Sequence, residues 1–148
     1  MIPKDVDLTK VAYDKDYLIG TMDLTRLVFI MLNEQNILNI YDQIDAYFQT
    51  SEIRERMDKG NWSALMKGSK QVFNSIDKSN CANDNEKSDD IMLHWLADIT
   101  VYLQWKYNLS SREFNTKCDA RTLANLYYPL HETSINNAAD KLYHKFYE

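Results

Sequence analysis

The fold is decided by residues 91–107, IMLHWLADITVYLQWKY, in which apolar side chains recur every three or four positions. That spacing places them on one wide face of a helix, which is typical of a helix packed against a core. Asp89 or Asp90 can cap its first turn, because a side-chain oxygen there accepts a hydrogen bond from a free backbone N–H. We therefore predict a central helix over residues 91–107. Its apolar face comprises Met92, Trp95, Leu96, Ile99, Tyr102 and Leu103.

Residues 17–33 predict a second central helix. Its second half, LVFIML at 27–32, is apolar on every side, and a helix of that kind is normally enclosed by other elements. A six-residue apolar run is also compatible with a buried strand, but the length of the whole segment favours a helix.

Shorter patterns fill most of the remaining chain. An amphipathic helix is predicted over 36–49, and residues 61–76 predict another helix, which Gly68 interrupts. Four more helices are predicted from residues that can cap their first turns. They cover 51–57 after Thr50 or Ser51, 111–117 after Ser110 or Ser111, 119–128 with Asp119 as the cap, and 134–147 after Thr133 or Ser134. Pro129 ends the helix over 119–128, and Leu130 is expected to pack beneath the junction. The same junction, with Tyr127, Tyr128, His131 and Glu132, could instead be a functional loop.

Composition agrees with this pattern. The chain has 148 residues but only three Gly and two Pro, and strand-rich folds draw heavily on both for tight turns. The sequence therefore predicts one compact all-α domain, residues 1–148, of about six to seven helices. Residues 77–90, DKSNCANDNEKSDD, predict a polar surface loop, and any border between subdomains would fall there.

The sequence also limits where the protein works. Cys81 and Cys118 do not form a CxxC pair, and Met1 to Leu8 carries Asp5 and Asp7 where a signal peptide needs a basic flank. The longest apolar run has six residues, far fewer than the ~20 that cross a membrane. We expect a cytoplasmic protein without a cofactor. Twelve Lys against five Arg, with 13 Asn, resembles the usage of an AT-rich genome and suggests a bacterial or phage origin.

The leading functional hypothesis is contact with another protein. The net charge is −5, and the acidic excess lies in the N-terminal part of the chain. Acidic side chains there alternate with Tyr, a residue favoured in protein interfaces. We expect a non-enzymatic binding or regulatory protein that meets a basic partner surface, for example an inhibitor of a nucleic-acid-binding protein. The expected contact residues are Tyr41, Asp42, Asp45, Tyr47, Glu52 and Glu55.

Two alternatives from other classes remain at this stage. Residues 102–128 could form a helix-turn-helix-like DNA-binding unit with a basic patch of Lys106, Arg112, Lys117 and Arg121, and with Asn125 as a reader of base edges. A helical metal-dependent hydrolase is the third hypothesis. Its ligands would come from His94, Asp98, His131, Asp140 and His144, because two His–Asp pairs have the four-residue spacing of one helix face. Asp98 could instead pair with Arg26. No GxSxG, phosphate-binding or dinucleotide motif indicates another enzyme class.

Overall fold

A computed structural model describes residues 15–34, 37–59, 63 and 66–148 of the chain. Within these residues there is no strand, and nine α-helical segments follow a short 3₁₀ turn at Lys15–Tyr17. The protein is a single compact helical domain, as predicted. The helices are α1 (Leu18–Asn33), α2 (Ile40–Thr50), α3 (Glu52–Asp58), α4 (Ser69–Asn74), α5 (Asp90–Tyr107), α6 (Ser111–Lys117), α7 (Ala120–Asn125), α8 (Tyr127–Leu130) and α9 (Ile135–Phe146).

Helices α1 and α5 pack side by side in opposite directions. The end of α1 lies near the start of α5, since the Asn33 side chain exchanges hydrogen bonds with the Ser88 backbone. Half-way along, Arg26 binds Asp98. This antiparallel pair is the centre of the domain, and α9 packs against α5 while α2 packs against α1.

The exposure of α1 differs from the prediction. Val28, Phe29 and Leu32 are fully buried, but Leu27 is 54% exposed and Ile19 is 65% exposed. The apolar run at 27–32 is therefore not buried on every side, although the sequence predicted that it would be.

Helix caps explain most of the helix starts. The side chains of Asn39, Ser51, Asp89, Ser110, Asp119 and Ser134 each accept a backbone N–H three residues later. The cap at Asn39 makes α2 begin at Ile40, whereas the periodicity predicted a start near residue 36. Ile37 consequently lies outside the helix and is exposed.

Two further predictions need correction. In the segment 61–76, only Ser69–Asn74 is a described helix; it begins after Gly68, whose φ of +87° is the left-handed conformation that glycine tolerates. Helical spacing over 61–76 would bury Met66 together with Trp62 and Leu65, but Met66 is exposed, and Trp62 and Leu65 lie outside the described residues. The predicted helix 119–128 ends at Asn125, and Tyr128 has a non-helical backbone before Pro129.

The predicted loop is present between α4 and α5, and it is fastened to the domain. Asn39 donates from its side-chain amide to Asp84 and Glu86, and its backbone N–H donates to the Ala82 carbonyl. Arg121 of α7 holds Glu86 from the other side, at 2.6 Å. These contacts place one end of the loop against α2, where the candidate site lies.

Candidate functional site: an acidic cavity beside α2

A cavity of about 240 Å³ opens between α2 and the loop that follows α4. Three carboxylates converge on it, Asp42 and Asp45 from one side of α2 and Asp77 from the loop. Residues three apart lie on the same face of a helix, which is why the first two point to the same space. The cavity is lined by Asp42, Asp45, Ala46, Gln49, Thr50, Asp77, Asn80 and Cys81.

Backbone and amide donors fix the orientation of these carboxylates. Asp42 accepts the Ala82 N–H through Oδ2, at 2.9 Å. Asp45 accepts through Oδ1 from the Asn115 side chain and from the Ala120 N–H, at 2.9 and 2.8 Å. Within the described residues, the second oxygen of each of these two carboxylates receives no hydrogen bond. The cavity therefore has two acceptor oxygens that are still available.

The electrostatic character of the cavity is negative. Neither Lys nor Arg contributes to its described lining. Burial raises the pKa of Asp45, and the neighbouring charges of Asp119 and Asp42 raise it further. Burial, followed by the charge of Asp42, also raises the pKa of the Cys81 thiol. The nearby Lys78 directs its ammonium group over the Phe73 ring, 3.3 Å from the centroid.

The tyrosines expected beside these acids do not lie on the surface. Tyr47 is fully buried, with its ring edge-on to Phe29 at 5.8 Å. Tyr41 is also buried, beneath the guanidinium of Arg121 at 5.0 Å. Both positions belong to the apolar side of α2, so the helical spacing that exposes Asp42 necessarily turns them toward the core.

Glu52 and Glu55 lie on α3 and do not line the cavity. Glu55 binds Arg112 at 2.9 Å and Lys59 at 3.5 Å, and Glu52 is 4.0 Å from Arg56. The ion pair with Arg112 lowers the pKa of Glu55. The acidic residues that the sequence predicted as contacts therefore fall into two groups. Asp42 and Asp45 line a cavity without a Lys or Arg in its described lining, whereas Glu52 and Glu55 on α3 lie near basic side chains.

The basic residues of the DNA-binding hypothesis are mostly engaged with carboxylates. The predicted helices are present as α6 and α7, but Arg112 holds Glu55 and Arg121 holds Glu86. Lys106 binds Asp140 on α9. Lys117 lies 5.8 Å from the Tyr147 ring, and Asn125 is exposed. The positive charges of Lys106, Arg112 and Arg121 are therefore matched by carboxylates.

Most of the five residues of the metal hypothesis make other contacts. Asp98 pairs with Arg26, the partner that the sequence suggested, and Asp140 binds Lys106 and Tyr107. His144 lies 2.8 Å from Glu148, while the ring of His131 stacks on Tyr127 and His94 is exposed. Among residues 15–34, 37–59, 63 and 66–148, no group of three or more His, Cys, Asp or Glu side chains could hold a metal ion.

Cys118 is buried, and burial raises the pKa of its thiol to about 12. A thiol with such a pKa carries almost no thiolate at neutral pH, which disfavours nucleophilic chemistry.

Sequence reasoning missed Asp77, which it assigned to a surface loop without a role. No local pattern connects residue 77 to residues 42 and 45. The nearest signal was the density of Asn, Asp and Ser in 77–90, which indicated many side-chain-to-backbone turns but not their position against α2.

No protein family, curated protein or solved structure matches the chain. In the described part of the chain, no helix has the length and apolar character needed to cross a membrane.

Proposed function

We propose that the protein is a non-enzymatic binding or regulatory protein of the cytoplasm, and that a Lys or Arg side chain of a basic protein partner enters the acidic cavity. The observation that carries this proposal is the convergence of Asp42, Asp45 and Asp77 on one cavity whose described lining contains no cation. Elsewhere on the surface, acidic side chains such as Glu55 and Glu86 are already matched by arginines.

The cavity suits a cationic side chain in both size and chemistry. A partly enclosed carboxylate has lost hydration and gains most from a charged hydrogen-bond donor, since charge-assisted bonds are about twice as strong as neutral ones. The open oxygens of Asp42 and Asp45 would accept from the ammonium or guanidinium group. Ala46 and Cys81 offer apolar contact for the methylene stem, which long basic side chains bury while the charged head stays polar.

Inhibition of a nucleic-acid-binding protein is the concrete form of this proposal. Such proteins neutralise phosphates with Lys and Arg, and those side chains are the ones that an acidic cavity competes for. The overall charge of −5 would increase the rate of encounter with a basic surface. A bacterial or phage origin, suggested by composition alone, is compatible with that role.

Two Asp→Asn substitutions, which remove charge but keep the size of the side chain, test the cavity without removing its internal hydrogen bonds. In Asp42→Asn with Asp77→Asn, an amide oxygen remains to accept from Ala82 N and from Ser79 N. We expect at least a tenfold loss of affinity for a fluorescent hexa-arginine peptide, measured by anisotropy at low salt. As the pH is lowered, binding by the parent protein should begin to weaken at a higher pH than it would with an ordinary aspartate. The reason is that the pKa of Asp45 is raised, so this carboxylate takes up a proton and loses its charge earlier.

The matched control is Glu52→Gln with Asp16→Asn, which removes the same net charge from exposed positions outside the cavity. The control should bind the peptide as tightly as the parent does. Equal loss in both double variants would show only a diffuse charge effect and would contradict the proposal. No binding by the parent protein in 20 mM salt would also refute it.

A further inference from the structure

The outward face of α1 is a second surface with a distinctive composition. Ile19 and Leu27 are among the most exposed apolar side chains of the described residues. Ile30, which is nearer the end of the helix, is half-buried. The same face carries Asp23, whose side chain is 63% exposed, and Arg26. A contiguous exposed apolar patch bordered by polar residues marks a protein interaction site, whereas a single exposed apolar side chain does not.

The order of these residues is symmetric along the helix. Ile19, Asp23, Arg26 and Ile30 are separated by four, three and four positions, and at 100° per residue all four fall within an arc of about 60°. Suppose that the α1 helix of a second copy lies antiparallel on this face, with a two-fold axis between residues 24 and 25. Each of the four residues then faces a different one of the four residues in the second copy. Ile19 then faces Ile30 of the second copy, and Asp23 faces Arg26. A symmetric interface requires this kind of self-complementary surface.

The charged atoms are arranged for such an exchange. Arg26 uses Nε and Nη2 to hold Asp98, at 2.7 and 2.5 Å. Its Nη1 lies 3.6 Å from Asp23 of its own helix, which is too long for a hydrogen bond. In the antiparallel pair, the Asp23 carboxylate of the other copy would approach this Nη1. The ion pair with Asp98 keeps the guanidinium in place, so little side-chain entropy is lost.

We propose that the protein forms a symmetric dimer through antiparallel contact between the α1 helices of two copies, with Ile19 against Ile30 and Asp23 against Arg26. This surface is distinct from the acidic cavity, whose lining contains no residue of α1. Failure of the dimer proposal would therefore leave the proposed cation-binding cavity untouched, and the reverse also holds.

Disulfide trapping tests the pairing directly. In a Cys81→Ser background, we would mix a chain carrying Ile19→Cys with a chain carrying Ile30→Cys under mild oxidation. The mixture should give a covalent dimer, because facing residues of packed helices approach the ~4.4–6.8 Å between Cα atoms that a disulfide needs. Each variant alone should give at least tenfold less, since identical positions would lie about 16 Å apart along the pair.

Sedimentation velocity gives an independent measurement on the unmodified chain. The parent should dimerise with rising concentration, and Asp23→Arg should raise the dimer dissociation constant at least tenfold by placing like charges together. Ile19→Lys should have a similar effect. Ile91→Lys is the matched control, because Ile91 is 72% exposed at the start of α5 and lies outside the face; it should dimerise as the parent does.

Three results would overturn the proposal: a parent protein that remains monomeric at 200 µM, Ile19→Cys chains that cross-link with themselves as well as with Ile30→Cys chains, or Ile91→Lys that dissociates the dimer as much as Ile19→Lys. If the parent is monomeric yet α1 variants lose binding to another protein, the face is covered by that protein instead of a second copy. That outcome also contradicts the proposal.

Discussion

Arg54 is a charged side chain with no exposure to solvent. It joins three helices, because its Nε donates to the Ser111 hydroxyl of α6 at 3.1 Å and its Nη2 donates to Gln104 of α5. Asp58, one turn further along α3, supplies the counter-charge, with its Oδ1 3.8 Å from Arg54 Nε. Burial raises the pKa of Asp58, and the Arg54 charge opposes that rise. Removing either partner would leave the other as an uncompensated buried charge, which strongly destabilises a fold.

Replacing Arg54 with Met should lower the free energy of unfolding by about 3–5 kcal/mol, since it leaves Asp58 buried without its partner. Urea denaturation followed by circular dichroism measures the loss. The matched control is Arg56→Met, two residues away, where the side chain is half exposed and lies 4.0 Å from Glu52. An exposed pair of that kind contributes about 0–1 kcal/mol. Adding Asp58→Asn to Arg54→Met should recover part of the stability, and a double variant weaker than Arg54→Met alone would contradict this account.

Residue-level prediction from sequence succeeded where the environment was distinctive. Arg26 was the only basic residue of an apolar helix, so its need for a carboxylate was evident and Asp98 was a suitable partner. Arg54 lies in a short helix among other charged residues, and nothing in its local sequence distinguishes it from them. Its burial depends on Gln104, fifty positions away, and no local spacing carries that information.

The helix starts that could be predicted were those determined by residues a few positions apart in the sequence. The caps at Asp89, Ser110, Asp119 and Ser134 follow from a side chain and an N–H three residues apart, and all four are confirmed. The start of α2 was placed too early, because the apolar period includes Ile37 although the cap is at residue 39. Asn39 also makes contacts with the loop that no periodicity records.

Asn39→Asp separates the two roles of this residue. The new carboxylate can still accept the Asp42 N–H and cap α2, but it cannot donate to Asp84 and Glu86 and would repel them. We expect faster hydrogen exchange in residues 77–89 and a loss of about 1–3 kcal/mol in stability, as for a buried polar group that loses its partners. The control is Asp119→Asn, a cap of α7 that keeps its acceptor oxygen. Unchanged exchange in the loop would show that Asn39 does not hold it.

At the scale of the molecule, the question raised by the sequence is whether the loop at 77–90 divides the chain. The main apolar cluster contains buried residues from both sides of it, including Phe29 and Ile44 before the loop and Leu96 and Leu142 after it. The ion pair between Arg26 and Asp98 and the network around Arg54 also connect the two sides. Neither part retains a complete core without the other, because α1 buries its apolar face against α5.

The whole chain should therefore unfold as one cooperative unit. Far-ultraviolet circular dichroism reports all helices, whereas tryptophan fluorescence includes Trp95 and Trp105 of α5, after the loop. The two urea transitions should coincide, and the calorimetric and van't Hoff enthalpies should agree, as expected for a two-state domain of this size. Dimerisation would make the midpoint depend on concentration, so the comparison is best made with the Ile19→Lys variant. A fluorescence transition displaced from the helical one would mean that the chain does not unfold as one unit, which would contradict this prediction.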